Sequence, residues 1–240
     1  INIAYGRNKA LRPHKAERMK AIEQHQFPEL LRNIDQYGAD NPNAHQQTIA
    51  GMQLMTLCFV RTKELRFFEW SEIDYHKNVW RIPAAKMKMR QDHIIPLSPQ
   101  AMAIIERMRP LTEQTGYVFY NFERSQPYSE VWFNQALKRM GYGGRFSSHG
   151  FRSTATTILG LLGYPEKRVD LQLAHSKKSK DSSRAPYDHT KFVESRKVIM
   201  QDWADILDSL QAGKPVEGVT KAFGPMSKRR TALLRVIERE

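Results

Sequence analysis

The chain is predicted to be α+β and mainly α-helical, with one small antiparallel β-sheet packed on a helical core. Three observations carry this. Between residues 27 and 210 most apolar residues recur at helical spacing. One stretch breaks that pattern: Val79-Trp80-Arg81-Ile82-Pro83 and His93-Ile94-Ile95-Pro96-Leu97 are short, rich in β-formers and bounded by prolines. With 240 residues and 40% hydrophobic content, the chain suffices for one sizeable core and a small appendage.

The elements follow in order. Residues 1–26 are polar and basic and read as a linker. The chain begins with Ile1 rather than Met, so it is expected to be a piece of a longer protein with a further domain ahead of residues 1–26. Phe27-Pro28-Glu29 opens the first helix, with proline in the first turn and Gly38 as its stop. Residues 44–59 read as a second helix with Ile49, Met52, Leu54, Met55 and Leu57 as apolar positions, and a shorter helix follows at about 62–69. The two β-rich runs form a hairpin whose turn carries Lys86, Lys88 and Arg90. Ser98-Pro99 caps a helix running to about Met108. Val118-Phe119-Tyr120 reads as a further strand, and Ser129 as the cap of a helix ending at Gly141. Ser147 or Ser148 opens the next helix, ending near Gly163, and Pro165 starts another, ending near Leu173. Residues 191–210 form a long amphipathic pattern through Phe192, Val198, Ile199, Trp203, Ile206, Leu207 and Leu210. Residues 213–240 read as a basic tail, low in apolar content until a short run at 232–237.

Composition narrows the function. The net charge of +13 favours a polyanionic partner, most often nucleic acid, over a merely solvated basic surface. The single cysteine, Cys58, lies in an apolar run, cannot form an internal disulfide, and reads as a small core residue in a reducing compartment. No stretch approaches the ~20 apolar residues of a membrane span, and the N-terminus carries no signal-peptide pattern. There is no GxxxxGK[ST] phosphate loop, no paired carboxylates and no His/Cys cluster at metal-ligand spacing.

What remains is a set of cations and hydrogen-bond donors with one tyrosine. Arg61 and Glu64 are three apart and share a helix face. Lys88 sits on the hairpin turn. His149 and Arg152 are three apart near a helix start, where unpaired N–H groups favour an anion. His175 precedes a polar, basic loop from Ser176 to Arg184, and Tyr187 follows it. Singly, these also fit a surface ion pair, a solvated loop lysine, a capping histidine and a packing tyrosine. Together they suit attack on a phosphodiester: guanidinium forks hold non-bridging oxygens, and preorganised donors stabilise the charge that develops there.

In order and spacing these residues resemble the tyrosine recombinases, the phage-integrase family. Arg61 and Glu64 stand in the family's Arg-x-x-Glu segment, although Phe59-Val60 replaces the usual preceding glycine. Lys88, eight residues before Pro96, matches the hairpin lysine, with Lys86 as the alternative register. His149-Gly150-Phe151-Arg152 matches the HxxR box, Leu173-Ala174-His175 stands where Leu-Gly-His is common, and Tyr187 occupies the nucleophile position. The variants around Arg61, Lys88 and His175, with Trp203, look like the genomic-island and satellite-prophage integrase branch. The resemblance covers about residues 27–210.

The resemblance implies the recombinase catalytic-domain fold over residues 27–212. It also implies a site-specific recombinase that cuts and rejoins DNA through a 3′-phosphotyrosyl link, without metal or other cofactor. Arg61, Arg152 and His175 would hold the scissile phosphate, Lys88 would protonate the leaving 5′-oxygen, and His149 would assist proton transfer at Tyr187. Lys86, Arg90, Lys177 and Lys178 are expected DNA contacts. The implied partners are double-stranded DNA at attachment or core sites, three further copies of the chain on DNA with a monomer when free, and DNA-bending accessory proteins. The implied setting is a bacterial or prophage cytoplasm, associated with the nucleoid. Two rivals stand beside this reading: a type IB topoisomerase-like strand transferase and a non-catalytic DNA-binding regulator.

Overall fold

A computed structural model of the chain describes residues 24–39, 42–88, 90–174, 192–214, 216–225 and 227–240. Helix α1 (Phe27–Asp35) has proline in its first turn and buries Phe27, Leu30, Leu31 and Ile34 on one face. That face packs on α2 (Pro42–Cys58) and on the long α8 (Val193–Gln211). Helix α2 is buried on nearly all sides, and its Met52, Leu54, Met55 and Cys58 lie in the core. Trp203 of α8 is wholly buried and donates from Nε1 to the Thr56 carbonyl at 2.9 Å, so the two helices share a polar link inside an apolar contact.

Helix α3 (Thr62–Arg66) follows, then a three-stranded antiparallel sheet in the order β1 (Ile73–Asp74), β2 (Val79–Ile82), β3 (His93–Pro96). The β2–β3 hairpin is the predicted one, in register Trp80 to Ile95 and Ile82 to His93. The short β1 was not legible, because two residues carry no alternation. It is added by a turn in which Asp74 accepts from the Lys77 amide. Trp80 stacks on Phe68 at 3.8 Å and donates to Glu72, which ties the sheet to the helical layer.

Ser98 caps α4 (Pro99–Thr112) as predicted, its hydroxyl accepting from the Ala101 amide at 3.2 Å. The strand expected at Val118-Phe119-Tyr120 is not a strand. The Val118 amide bonds the Phe68 carbonyl, but the Tyr120 amide and carbonyl are taken by the side chain of Gln47 on α2, so no ladder extends. Ser129 starts α5 (Trp132–Arg139) with its carbonyl rather than its hydroxyl. Neither Ser147 nor Ser148 caps α6 (Gly150–Leu161) by its side chain. The N-cap position is His149, and the Ser148 hydroxyl accepts instead from Thr62 at 3.0 Å. Helix α7 (Glu166–Gln172) begins just after Pro165.

The segment after Gly213, expected to be a basic tail, packs back on the main domain. Helices α9 (Val216–Phe223) and α10 (Lys228–Ile237) lie against α8 and bury Val219, Phe223 and Leu233. Two of its arginines are used in this docking. Arg229 bridges Asp202 at 3.0 Å and Asp205 at 2.6 Å. Arg230 is buried over the Tyr164 ring and donates to the Leu162 carbonyl. Two adjacent arginines thus help to dock the segment, one exposed and ion-paired and one buried against a ring and a carbonyl, while its other basic side chains stay on the surface.

Candidate active site

Arg61 occupies the N-cap position of α3, at the junction with α2. Glu64, one turn on and 7% exposed, accepts from the Arg61 amide at 2.7 Å and from Nη1 at 2.6 Å. One carboxylate therefore satisfies an orphan helix donor and fixes the guanidinium. The other guanidinium nitrogen, Nη2, donates to the Ala174 carbonyl at 3.1 Å.

Arg152 projects from the first turn of α6 and is 3% exposed. Its Nη2 donates to the Leu173 carbonyl at 2.5 Å, its Nη1 to the Phe59 carbonyl, and its Nε has no hydrogen-bond partner. Burial, and then the charge of Arg61, lower its pKa to about 10, while Glu64 opposes them, so it stays charged at neutral pH. The two arginines of the sequence reading thus meet at consecutive carbonyls, Leu173 and Ala174, directly before His175.

Two backbone features make this possible. Phe59 has φ +58° and Ala174 has φ +47°, a left-handed conformation that side chains disfavour by about 1–2 kcal/mol. These are the two places where the chain departs from a glycine of the family pattern. At Phe59 burial of the ring, edge-on to Trp203 at 5.3 Å, offsets the strain. The departures were visible in the sequence, but which carbonyls they turn towards Arg152 and Arg61 was not.

His149 stands at the head of α6 with much of its ring in solvent, and partial desolvation followed by the charges of Arg152 and Arg61 holds its pKa below the ordinary histidine value. It is therefore neutral at pH 7 and able to accept a proton. Lys88 is exposed in the β2–β3 turn, and Arg90 is exposed two residues on with φ +50°. Lys86 is placed differently from the expected DNA contact. Its ammonium lies 2.6 Å from Glu69, 2.5 Å from Glu72 and 2.8 Å from the Phe67 carbonyl. Burial works against its charge, yet the bonds to Glu69 and Glu72 outweigh it and raise the pKa. Lys86 is thus a tether of the hairpin base, with its charge already neutralised. His175, Lys177, Lys178 and Tyr187 lie outside the described residues.

Cys58 is buried and its thiol is pushed up to about 12, so it stays protonated and acts as a core residue. Among the described residues no group of three His, Cys, Asp or Glu side chains is placed to hold a metal ion. No helix among them is long and apolar enough to cross a membrane.

Residues 20–190 match the model of the phage integrase family. The chain is 34% identical over 209 residues to the prophage integrase IntA of Escherichia coli K12, covering 87% of this chain and 49% of that protein. It is 34% identical over 216 residues to the integrase of Enterobacteria phage P4, covering 83% of this chain and 48% of that one. It thus spans about half the length of these curated relatives. Among solved structures it resembles the Tn1549 transposon integrase in complex with circular intermediate DNA. The TM-score is 0.52 at 15% identity, over 71% of this chain and 62% of that one, a likeness of fold.

Proposed function

The chain belongs to the phage integrase family, and we propose that it is the catalytic part of a site-specific recombinase that integrates or excises a mobile DNA element. The observation that carries this reading is the meeting of Arg61 and Arg152 on adjacent carbonyl oxygens immediately before His175. Two guanidinium groups aimed at neighbouring acceptors are suited to take the two non-bridging oxygens of a phosphodiester in their place.

The Tyr187 oxygen attacks phosphorus and the bond to the 5′-oxygen breaks, leaving a 3′-phosphotyrosyl link and a free 5′-hydroxyl. Arg61, Arg152 and His175 stabilise the charge that builds on the non-bridging oxygens. Neutral His149 takes up the tyrosine proton, and Lys88 on the hairpin turn gives one to the leaving 5′-oxygen. The covalent link conserves the bond energy, so rejoining requires no nucleotide. Arg90, Lys177 and Lys178 contact the DNA backbone. Residues 1–26 link this domain to a DNA-binding region, and residues 27–212 carry the chemistry. The protein works in a bacterial or prophage-bearing cytoplasm at attachment sites. Four copies meet on DNA, since two duplexes require four cleavages and each chain supplies one tyrosine; free in solution it is a monomer.

The test is covalent trapping on a nicked suicide substrate carrying the element's own attachment site. The full-length protein should form an adduct, and Tyr187→Phe should abolish it while binding DNA nearly as well. An adduct that persists in Tyr187→Phe refutes the nucleophile. Strand transfer between two duplexes separates a recombinase from an enzyme that relaxes one.

A further inference from the structure

Behind the arginine pair lies a buried hydrogen-bond hub that the reaction as described does not use. Its centre is Gln172, the last residue of α7, 1% exposed. Its amide nitrogen donates to the Cys58 carbonyl at 3.2 Å, at the end of the helix that leads into Phe59 and Arg61. Its amide oxygen accepts from Arg196, through Nε at 3.3 Å and Nη2 at 2.9 Å. Arg196 is wholly buried in the first turn of α8, and its Nη2 also donates to the Ile94 carbonyl of β3. The backbone carbonyl of Gln172 accepts from His93 Nε2 at 3.1 Å, on the same strand. The next two carbonyls, Leu173 and Ala174, are those held by Arg152 and Arg61.

One residue therefore joins the segment that delivers Arg61, the strand that returns from the Lys88 turn, and the helix that follows the Tyr187 segment. The residue type matters. A neutral amide donates and accepts at once, whereas a carboxylate only accepts and a hydrocarbon does neither. The site demands both, because Cys58 presents a carbonyl and Arg196 a guanidinium. Each bond is out of water, where an unmatched partner is not rescued by solvent.

We propose that Gln172 is a positioning residue for strand cleavage, holding the Cys58–Arg61 junction, strand β3 and helix α8 at fixed separation so that Arg61 and Arg152 address one phosphate. The inference rests on the recombinase reading. Gln172→Glu is the discriminating change, since it keeps an acceptor for Arg196 and loses the donor to Cys58. In the full-length protein, single-turnover adduct formation at saturating DNA should fall at least about 10-fold, with DNA affinity within about 3-fold of wild type, on the scale of a misplaced transition-state donor. The defect should persist on a substrate whose 5′-bridging oxygen is sulfur, because the fault lies at the phosphate and not at the leaving group.

A double-mutant cycle separates positioning from general support. If Gln172 acts through Arg61, Gln172→Glu should cost less than about 3-fold in an Arg61→Lys background. An equal loss in both backgrounds, a normal rate, or a loss relieved by the bridging sulfur overturns the proposal. Gln172→Met, which removes both bonds at similar volume, is read the same way should Gln172→Glu not fold. Failure of both to fold would make Gln172 a structural residue and also overturns it. Absence of a Tyr187-dependent adduct in wild type refutes the recombinase reading itself, whereas a normal Gln172→Glu beside an active wild type refutes this inference alone.

Discussion

Replacing Glu64 by alanine should damage stability and cleavage together, by amounts that the geometry sets. Its carboxylate accepts from the Arg61 amide and from Arg61 Nη1 in a nearly dry position. Loss of the first bond leaves a helix-start N–H without its acceptor, worth about 1–2 kcal/mol. Loss of the second removes an ion pair whose arginine side chain is 35% exposed, so solvent screening limits it to about 0–1 kcal/mol. The sum is roughly 1–3 kcal/mol, which for a domain of this size lowers Tm by about 2–12 °C. Cleavage should suffer more than that implies, because an unanchored Arg61 must be re-ordered in each transition state. We expect adduct formation to fall towards the loss for Arg61→Ala, about 10²-fold. Glu64→Gln keeps one acceptor and should lie between. Thermal melting and single-turnover trapping on a nicked site read the two effects. A Glu64→Ala protein that melts within 1 °C of wild type, or that cleaves at the wild-type rate, would refute the anchoring of Arg61 by Glu64.

Other outcomes follow from the same geometry. Lys88→Ala should cleave a 5′-bridging-sulfur substrate well and the ordinary one badly, whereas Lys86→Ala, which frees Glu69 and Glu72, should lower Tm without that substrate preference; the reverse pattern would shift the hairpin register by two. The folded pKa of His149 lies below its unfolded value, so its stabilising contribution is present above about pH 6.5 and is lost as pH falls through the folded value. An NMR titration should place its midpoint below the ordinary histidine value, and Arg61→Ala should move it up; a midpoint unmoved by that change would deny the coupling. Leu233 of α10 is fully buried, so Leu233→Ala should cost about 2–5 kcal/mol; an unchanged melting curve would mean that the C-terminal helices do not dock on α8.

Much of this molecule was legible because its signals are local. Pro28 and Ser98-Pro99 mark helix starts whatever surrounds them, and the β2–β3 hairpin is announced by composition and its flanking prolines. Arg61 with Glu64, and His149 with Arg152, are neighbours by helical periodicity alone, so each pair could be drawn before any tertiary contact was known. Cys58 was readable as core from its apolar run. The charge of +13 pointed to a polyanion without any geometry.

The rest depends on which groups meet across the chain. No local pattern says that Arg61 and Arg152 converge on Leu173 and Ala174, since 113 residues separate Arg61 from Ala174. Lys86 and Lys88 look alike in sequence, and only the proximity of Glu69 and Glu72 decides that one is neutralised and the other exposed. A strand at Val118-Phe119-Tyr120 fails because the Tyr120 amide and carbonyl, which a neighbouring strand would have to meet, are taken by the side chain of Gln47. A basic, weakly apolar segment at 213–240 is a tail by composition and a pair of docked helices in fact, because Val219, Phe223 and Leu233 find buried places on the domain and Asp202, Asp205 and the Leu162 carbonyl receive Arg229 and Arg230. Sequence by itself settled the residue types and the chemistry available to them. Tertiary structure decided which of those charges are paired with carboxylates, which meet backbone carbonyls and which stay exposed, because desolvation and pairing are properties of neighbours in space.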